Sequence, residues 1–183
     1  MSKLLIQLAV LFALATNCFA GPEMFLAVHP SAAPTGHRYW RLIATSISWY
    51  TGVGDHAQAF FEIGLYASTA GTGTNLSLAG TAAASSIYSG TYPASNGNDG
   101  NASTFWTTVQ PISTIQWWGV DLGAAYSVHS AILTPYLSGT ASPLIAESYD
   151  LQYCTDNTFS SCTTQSSFAT ANTNAATQTF SNL

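Results

Sequence analysis

The run Asn98-Asp99-Gly100-Asn101-Ala102-Ser103-Thr104-Phe105-Trp106 sets Asp, Asn and Thr oxygens around a glycine turn. Oxygens so spaced can converge on a hard cation such as Ca²⁺, which takes about six to eight of them. The same residue types also build Asx turns, in which the side chains bond their own backbone, and the spacing alone leaves both open. The EF-hand pattern is absent. The second chemical resource is aromatic. Trp49 and Tyr50 lead into the glycine-rich stretch Thr51-Gly52-Val53-Gly54-Asp55-His56, and Tyr88 and Tyr92 bracket Ser89-Gly90-Thr91. Loop aromatics combine an apolar face with a polar edge, which suits stacking on a sugar ring or an interface. Trp49, Tyr50, His56, Tyr88 and Tyr92 are therefore the candidate ligand residues, provided that the two loops lie side by side.

Catalytic patterns are missing. There is no nucleophile elbow, no HExxH, no phosphate-cradling glycine loop, and no lysine beyond Lys3 for a Schiff base. His29, His37, His56 and His129 are scattered. No pair of carboxylates is nominated by spacing as a glycosidase pair. The expectation is a protein that binds rather than catalyses.

The N-terminus defines the setting. Lys3 precedes an apolar run from Leu4 to Ala15, and small residues follow up to Ala20. This is the pattern of a secretory signal peptide, with cleavage expected after Ala20; the run is too short to span a bilayer. Residues 21–36, rich in Pro and Gly, read as an extended arm carrying the apolar patch Met24 to Val28. The chain after residue 20 has two arginines against eight carboxylates, a net charge of 2 − 8 = −6. Without a basic patch it is not expected to bind nucleic acid. It also lacks the basic segments that anionic membranes attract. Cys154 and Cys162, an even pair in an exported chain, are expected to form a disulfide across a hairpin, with Cα atoms about 5.5–6 Å apart.

The elements that position these groups are short and strand-like. Apolar runs at Tyr39 to Ser46, Ala59 to Tyr66, Trp117 to Leu122, Tyr126 to Leu133, Ser148 to Cys154, Phe159 to Phe168 and Thr177 to Phe180 alternate with Gly, Ser, Asn and Thr clusters. Tyr126 to Leu133 is expected to pair with Trp117 to Leu122 around Gly123. No stretch after the signal holds a 3.6-residue apolar period. An all-β jelly-roll sandwich of about eight strands with little helix follows. Trp40, Trp106, Trp117 and Trp118 are expected in its core.

Taken in order, Ala84-Ser85-Ser86, then Asp99-Gly100-Asn101 with Thr104 and Trp106, then Trp117-Trp118-Gly119-Val120-Asp121-Leu122-Gly123, then Tyr149-Asp150-Leu151-Gln152-Tyr153, resemble the coagulation-factor type C or discoidin family, which has a galactose-binding-like fold. Arg38-Tyr39-Trp40-Arg41-Leu42 and Phe61-Glu62-Ile63-Gly64-Leu65-Tyr66 resemble strands that close the domain in that family but come first here. The order therefore looks circularly permuted, an arrangement seen in phage and bacterial surface proteins, and the domain spans 37–183. Cys154 and Phe159 depart from the family's usual residues after Tyr153. The resemblance implies a structural Ca²⁺, with Asp99, Asn101, Thr104 and Glu62 as its candidate ligands. It also implies ligand contacts from loops at one end.

The leading expectation is a secreted module for a glycan or glycoprotein surface. The alternative is a subunit of an extracellular assembly or virion, self-associating through the 21–36 arm. The sequons at Asn75 and Asn101 are compatible with an exported chain. One structural expectation comes from scarcity: Asp121 and Arg41 lie in apolar strands, where lone charges are costly, so a buried Arg41–Asp121 ion pair is expected.

Overall fold

The computed structural model describes residues 36–45, 57–138, 142–171 and 177–183. The signal segment, the arm up to residue 35, and Trp49, Tyr50 and His56 lie outside the described residues. Within them are eleven strands: β1 (His37–Ala44), β2 (Ala59–Tyr66), β3 (Thr81–Ala84), β4 (Trp106–Thr107), β5 (Trp117–Tyr126), β6 (Ser130–Pro135), β7 (Leu137–Ser138), β8 (Ser142–Pro143), β9 (Ser148–Cys154), β10 (Cys162–Ala169) and β11 (Gln178–Ser181). All pairings are antiparallel. One sheet has the order β10-β9-β1-β5-β3, a second has β11-β6-β2-β4, and β7 with β8 forms a small ribbon.

Period-two alternation explains the sandwich. In β1, Trp40, Leu42 and Ala44 point inward. They meet inward residues of β5 (Trp118, Val120) and β9 (Leu151, Tyr149) across the ladder. From the facing sheet, Phe60, Ile63 and Leu65 of β2 and Ala131 and Leu133 of β6 join the same core cluster. Trp106 is fully buried there, stacked on Phe60 with ring centroids 6.1 Å apart. Each large apolar side chain taken out of water contributes about 1.5–3 kcal/mol, so these facing rows hold the sheets together.

Three sequence expectations change. The strand at Trp117 does not turn at Gly123 but runs on to Tyr126, with a register shift against β1 between His37 and Tyr39. Trp117 is not in the core: it is half-buried on the outer face of its sheet, where its ring lies 5.3 Å from that of Phe159. The third change concerns the arginines. Asp121 pairs with Arg38, not with Arg41, through two short bonds, Nε to Oδ1 at 2.6 Å and Nη2 to Oδ2 at 2.8 Å. Register is the reason. Asp121 stands opposite Tyr39 near the end of β1, within reach of Arg38, whereas Arg41 stands opposite Gly119 and Gln152. Arg41 donates instead to Gln152 Oε1 (2.7 Å) and to the Phe159 carbonyl (2.6 Å), neutral acceptors that satisfy it without a counter-ion.

The disulfide joins Cys154 to Cys162. Their Cα atoms are 4.0 Å apart, closer than expected, because the two residues face each other directly across the β9–β10 ladder. The turn between them folds Phe159 back onto the sheet. Its ring is 3% exposed and rests on Gly119, where a Cβ would lie 2.8 Å from it.

Candidate binding site

Strand ends and loops gather at one end of the sandwich. The 85–88 segment ties the sheets together there, with the Ser85 N–H donating to Trp117 O and the Tyr88 N–H to Thr107 O. Around that bridge stands a tier of rings. Tyr92 stacks on Phe105 with centroids 4.6 Å apart, and Phe105 stacks on Tyr136 at 4.0 Å. Tyr88 leans on Tyr92 at 6.2 Å, and Phe61 meets Phe105 edge-on at 5.9 Å. Tyr88 is 54% exposed, while the other four are half-buried. The rings of Tyr88, Tyr92, Phe105 and Tyr136, with Thr107 and Gln110, line an open depression of about 210 Å³. A ring face standing free above a packed base can stack on a flat apolar ligand surface, and the phenol and amide groups at its margin can donate and accept hydrogen bonds.

The tier is held from below. Phe105 and Tyr136 pack against Ala57, Ala59 and Leu144. Backbone bonds join Tyr136 N–H to Ala59 O and Ala59 N–H to Leu144 O. Asn96 Nδ2 donates to both Thr91 O and Phe105 O, fixing the Tyr92 loop to Phe105. Phe61 reaches the tier because the β2–β6 register shifts between Phe60 and Glu62. Such a bulge re-aims side chains that strict alternation would send elsewhere.

The next residue on β2, Glu62, faces a polar corner. The loop there winds around Asp99, whose Oδ1 accepts the Asn101 N–H (2.9 Å) and whose Oδ2 accepts the Thr104 hydroxyl (2.7 Å). Thr104 Oγ1 also lies 3.0 Å from Asn101 O. Gly100 makes the tight turn with φ of +73°, a left-handed conformation that glycine adopts freely. Burial pushes the Glu62 carboxyl above its usual range, and the neighbouring Asp99 charge adds to this, while the Gly100 and Asn101 N–H groups partly offset it. Glu62 Oε1 is buried and has no hydrogen-bond partner. Beneath the corner, buried Asn98 anchors the loop by donating from Nδ2 to Ser77 O and Gly80 O.

The structure thus brings Glu62 to the Asp99-Asn101-Thr104 loop across a long stretch of sequence, and brings Tyr88 and Tyr92 into contact. Of the residues that flank 46–56, Ala57 packs under the tier, and the Thr45 N–H donates to Ser148 O. Phe61, Phe105 and Tyr136 were not anticipated from sequence as site residues. Phe105 directly follows the polar loop motif, but Phe61 and Tyr136 read only as ordinary strand aromatics. The two sequons differ. Asn75 Oδ1 is engaged by the N–H groups of Leu65 and Ser77 and by the Ser77 hydroxyl, whereas Asn101 is exposed.

Among the described residues, no cluster of three or more His, Cys, Asp or Glu is present, and no helix is long and apolar enough to cross a membrane. No curated protein and no solved structure matched the chain. The family model for the F5/8 type C domain matches residues 81–183. Domains of this discoidin type are generally non-catalytic binding modules for carbohydrates or lipids and are typically extracellular. With more than half its length matched, and with a two-sheet β-sandwich to carry the match, this chain belongs to the F5/8 type C domain family.

Proposed function

We propose that the protein is an exported glycan-binding module that holds a sugar ring against the tier of Tyr88, Tyr92, Phe105 and Tyr136. The observation that carries this reading is the continuous contact of those rings at the loop end, Tyr92, Phe105 and Tyr136 stacked and Tyr88 tilted against Tyr92, with one face open. The depression suits one or two sugar units rather than a large ligand. A net charge of −5 over the whole chain favours a neutral partner over an anionic one. Trp49, Tyr50 and His56 belong to the same proposal as further contacts from residues 46–56.

The permuted order is part of this reading. β1 and β2 precede the matched span, yet each is flanked on both sides by strands of that span. Both described ends reach the link between β5 and β6: Gly36 lies against the Tyr126 backbone, and the Leu183 N–H donates to His129 O. Neighbouring ends are what make a permutation feasible.

A structural Ca²⁺ is proposed at the polar corner, and the residues present fit it. Two neighbouring carboxylates and an orphaned buried oxygen are stable with a cation or a proton between them. Glu62 and Asp99 would hold the ion, with Asn101 and Thr104 supplying neutral oxygens. It would act by charge neutralisation and loop ordering.

A glycan array with wild type and Tyr92→Ala tests the main reading: specific spots are expected for wild type and are lost in the variant. An array blank in the presence and absence of Ca²⁺ would remove the glycan. A second reading, contact within an extracellular assembly, is favoured by the exposed side chains of Ile87, Tyr88 and Val109 at the same end. Concentration-dependent oligomers dispersed by Val109→Ser would support it.

A further inference from the structure

The polar corner and the aromatic tier are joined by two covalent routes, each one residue long. Thr104, whose hydroxyl donates to Asp99 Oδ2 and lies 3.0 Å from the Asn101 carbonyl, is followed directly by Phe105, the ring on which Tyr92 and Tyr136 both stack. Glu62, with its unpartnered buried Oε1, is preceded directly by Phe61, whose ring meets Phe105 at 5.9 Å and Tyr136 at 5.4 Å. The β2–β6 register shift falls at this Phe61–Glu62 step, so the two side chains serve the two places from adjacent positions. A third link runs through Asn96, which bonds the carbonyls of Phe105 and Thr91. Phe61 and Phe105 are thus each one backbone step from the polar corner, and their rings contact Tyr136 and, through Phe105, Tyr92.

We infer that binding of a divalent cation between Glu62 and Asp99 sets the position and stiffness of the Phe61–Phe105–Tyr136–Tyr92 tier, so that the cation governs how well the tier receives its ligand. This rests on the cation reading above and deepens it, because the metal is then a regulator of the binding surface and not only a prop for the fold. The physical basis is elementary. A cation held by both carboxylates is released when the loop opens, so its presence adds its binding free energy to the cost of opening. Ordering that has already been supplied by one ligand need not be supplied by the next, which gives positive coupling between them.

Hydrogen exchange resolved by residue, on the intact domain with Ca²⁺ as the probe, separates the outcomes. Isothermal titration first gives the Ca²⁺ dissociation constant. At roughly ten times that concentration, exchange at the Thr104 amide, which bonds Asn101 O, is expected to slow about tenfold. The same slowing, with the same midpoint, is expected at the tier amides of Tyr92 and Tyr136, while the Thr155 amide in the disulfide hairpin stays unchanged. Glu62→Gln should abolish both the heat and the slowing, and Asp99→Asn, at an exposed position, serves if the first variant folds poorly. Protection confined to Thr104, with Tyr92 and Tyr136 unmoved, would overturn the coupling while leaving the cation site. Absence of Ca²⁺ binding would overturn the coupling and the cation reading together, and leave the glycan reading to be judged by its own array.

Discussion

Among the described residues, two aromatic clusters stand outside the main core, and the chain treats them in opposite ways. On the outer face of the five-stranded sheet, Phe159 lies on Gly119 between Trp117 and Tyr39, with ring centroids at 5.3 and 6.4 Å. Its central ring is sealed: Phe159 is 3% exposed, with half-buried Trp117 and Tyr39 on either side. A disulfide closes the hairpin that delivers Phe159, and Arg41 fastens its carbonyl. At the loop end the rings of Tyr92, Phe105 and Tyr136 stack at 4.6 and 4.0 Å, with Tyr88 tilted against Tyr92, but they are left open on one side. Residue type does not distinguish the two. What distinguishes them is whether the chain covers its own rings: a covered cluster serves stability, and one held rigid yet open is available to a partner.

Predictions follow from that contrast. Phe159→Ala removes a buried ring and leaves a cavity over Gly119, so it should cost about 3–5 kcal/mol, read from denaturant midpoints. Replacing Cys154 and Cys162 together by Ser opens a short loop and should cost about 2.5 kcal/mol on the chain-entropy estimate. Arg41→Met strips the Phe159 carbonyl and Gln152 of their donor, at about 1–3 kcal/mol. Arg38→Met should cost less, since the Arg38–Asp121 pair is exposed and screened by salt. If Arg38→Met proved the worse of the two, the account of Arg41 as the seal of the covered cluster would be wrong.

The open region has a pH signature of its own. With the Glu62 carboxyl raised in the fold, the native chain holds more protons than the unfolded one between the ordinary Glu range and the raised value. Its contribution to stability therefore falls as pH rises through that window in chelator. Ca²⁺ should reverse this, raising Tm more at neutral pH than in acid. Asp121, held below its usual range by the Arg38 hydrogen bond, has the opposite sign: its contribution is present above the ordinary Asp range and is lost as pH falls through its lowered value. Glu62→Gln should flatten the chelator profile and leave the acid limb in place. The smallest stability effect belongs to Tyr88→Ala, expected within about 0.5 kcal/mol because the ring is more than half exposed. Binding on a glycan array should nonetheless drop, the reverse of Phe159→Ala, which should leave binding intact in whatever fraction stays folded.

The sequence by itself determined the β-sandwich, the family and the disulfide, because these rest on local patterns. Alternation in β1, β5 and β9, the cysteine pair, and the ordered motifs from Asp99 to Tyr153 need no knowledge of partners. It also named Glu62 with the Asp99 loop, since both lie in family-like motifs. Register and long-range approach were decided only in three dimensions. Arg38 and Arg41 are alike in sequence, and only the pairing of Tyr39 with Asp121 and of Arg41 with Gly119 selects which of them meets the carboxylate. Phe61, Phe105 and Tyr136 come from three distant segments, and Phe61 joins them only through the register shift in β2. A one-residue change of register sends a side chain to the opposite face, so neither the open tier nor the sealed one was visible before the strands were paired.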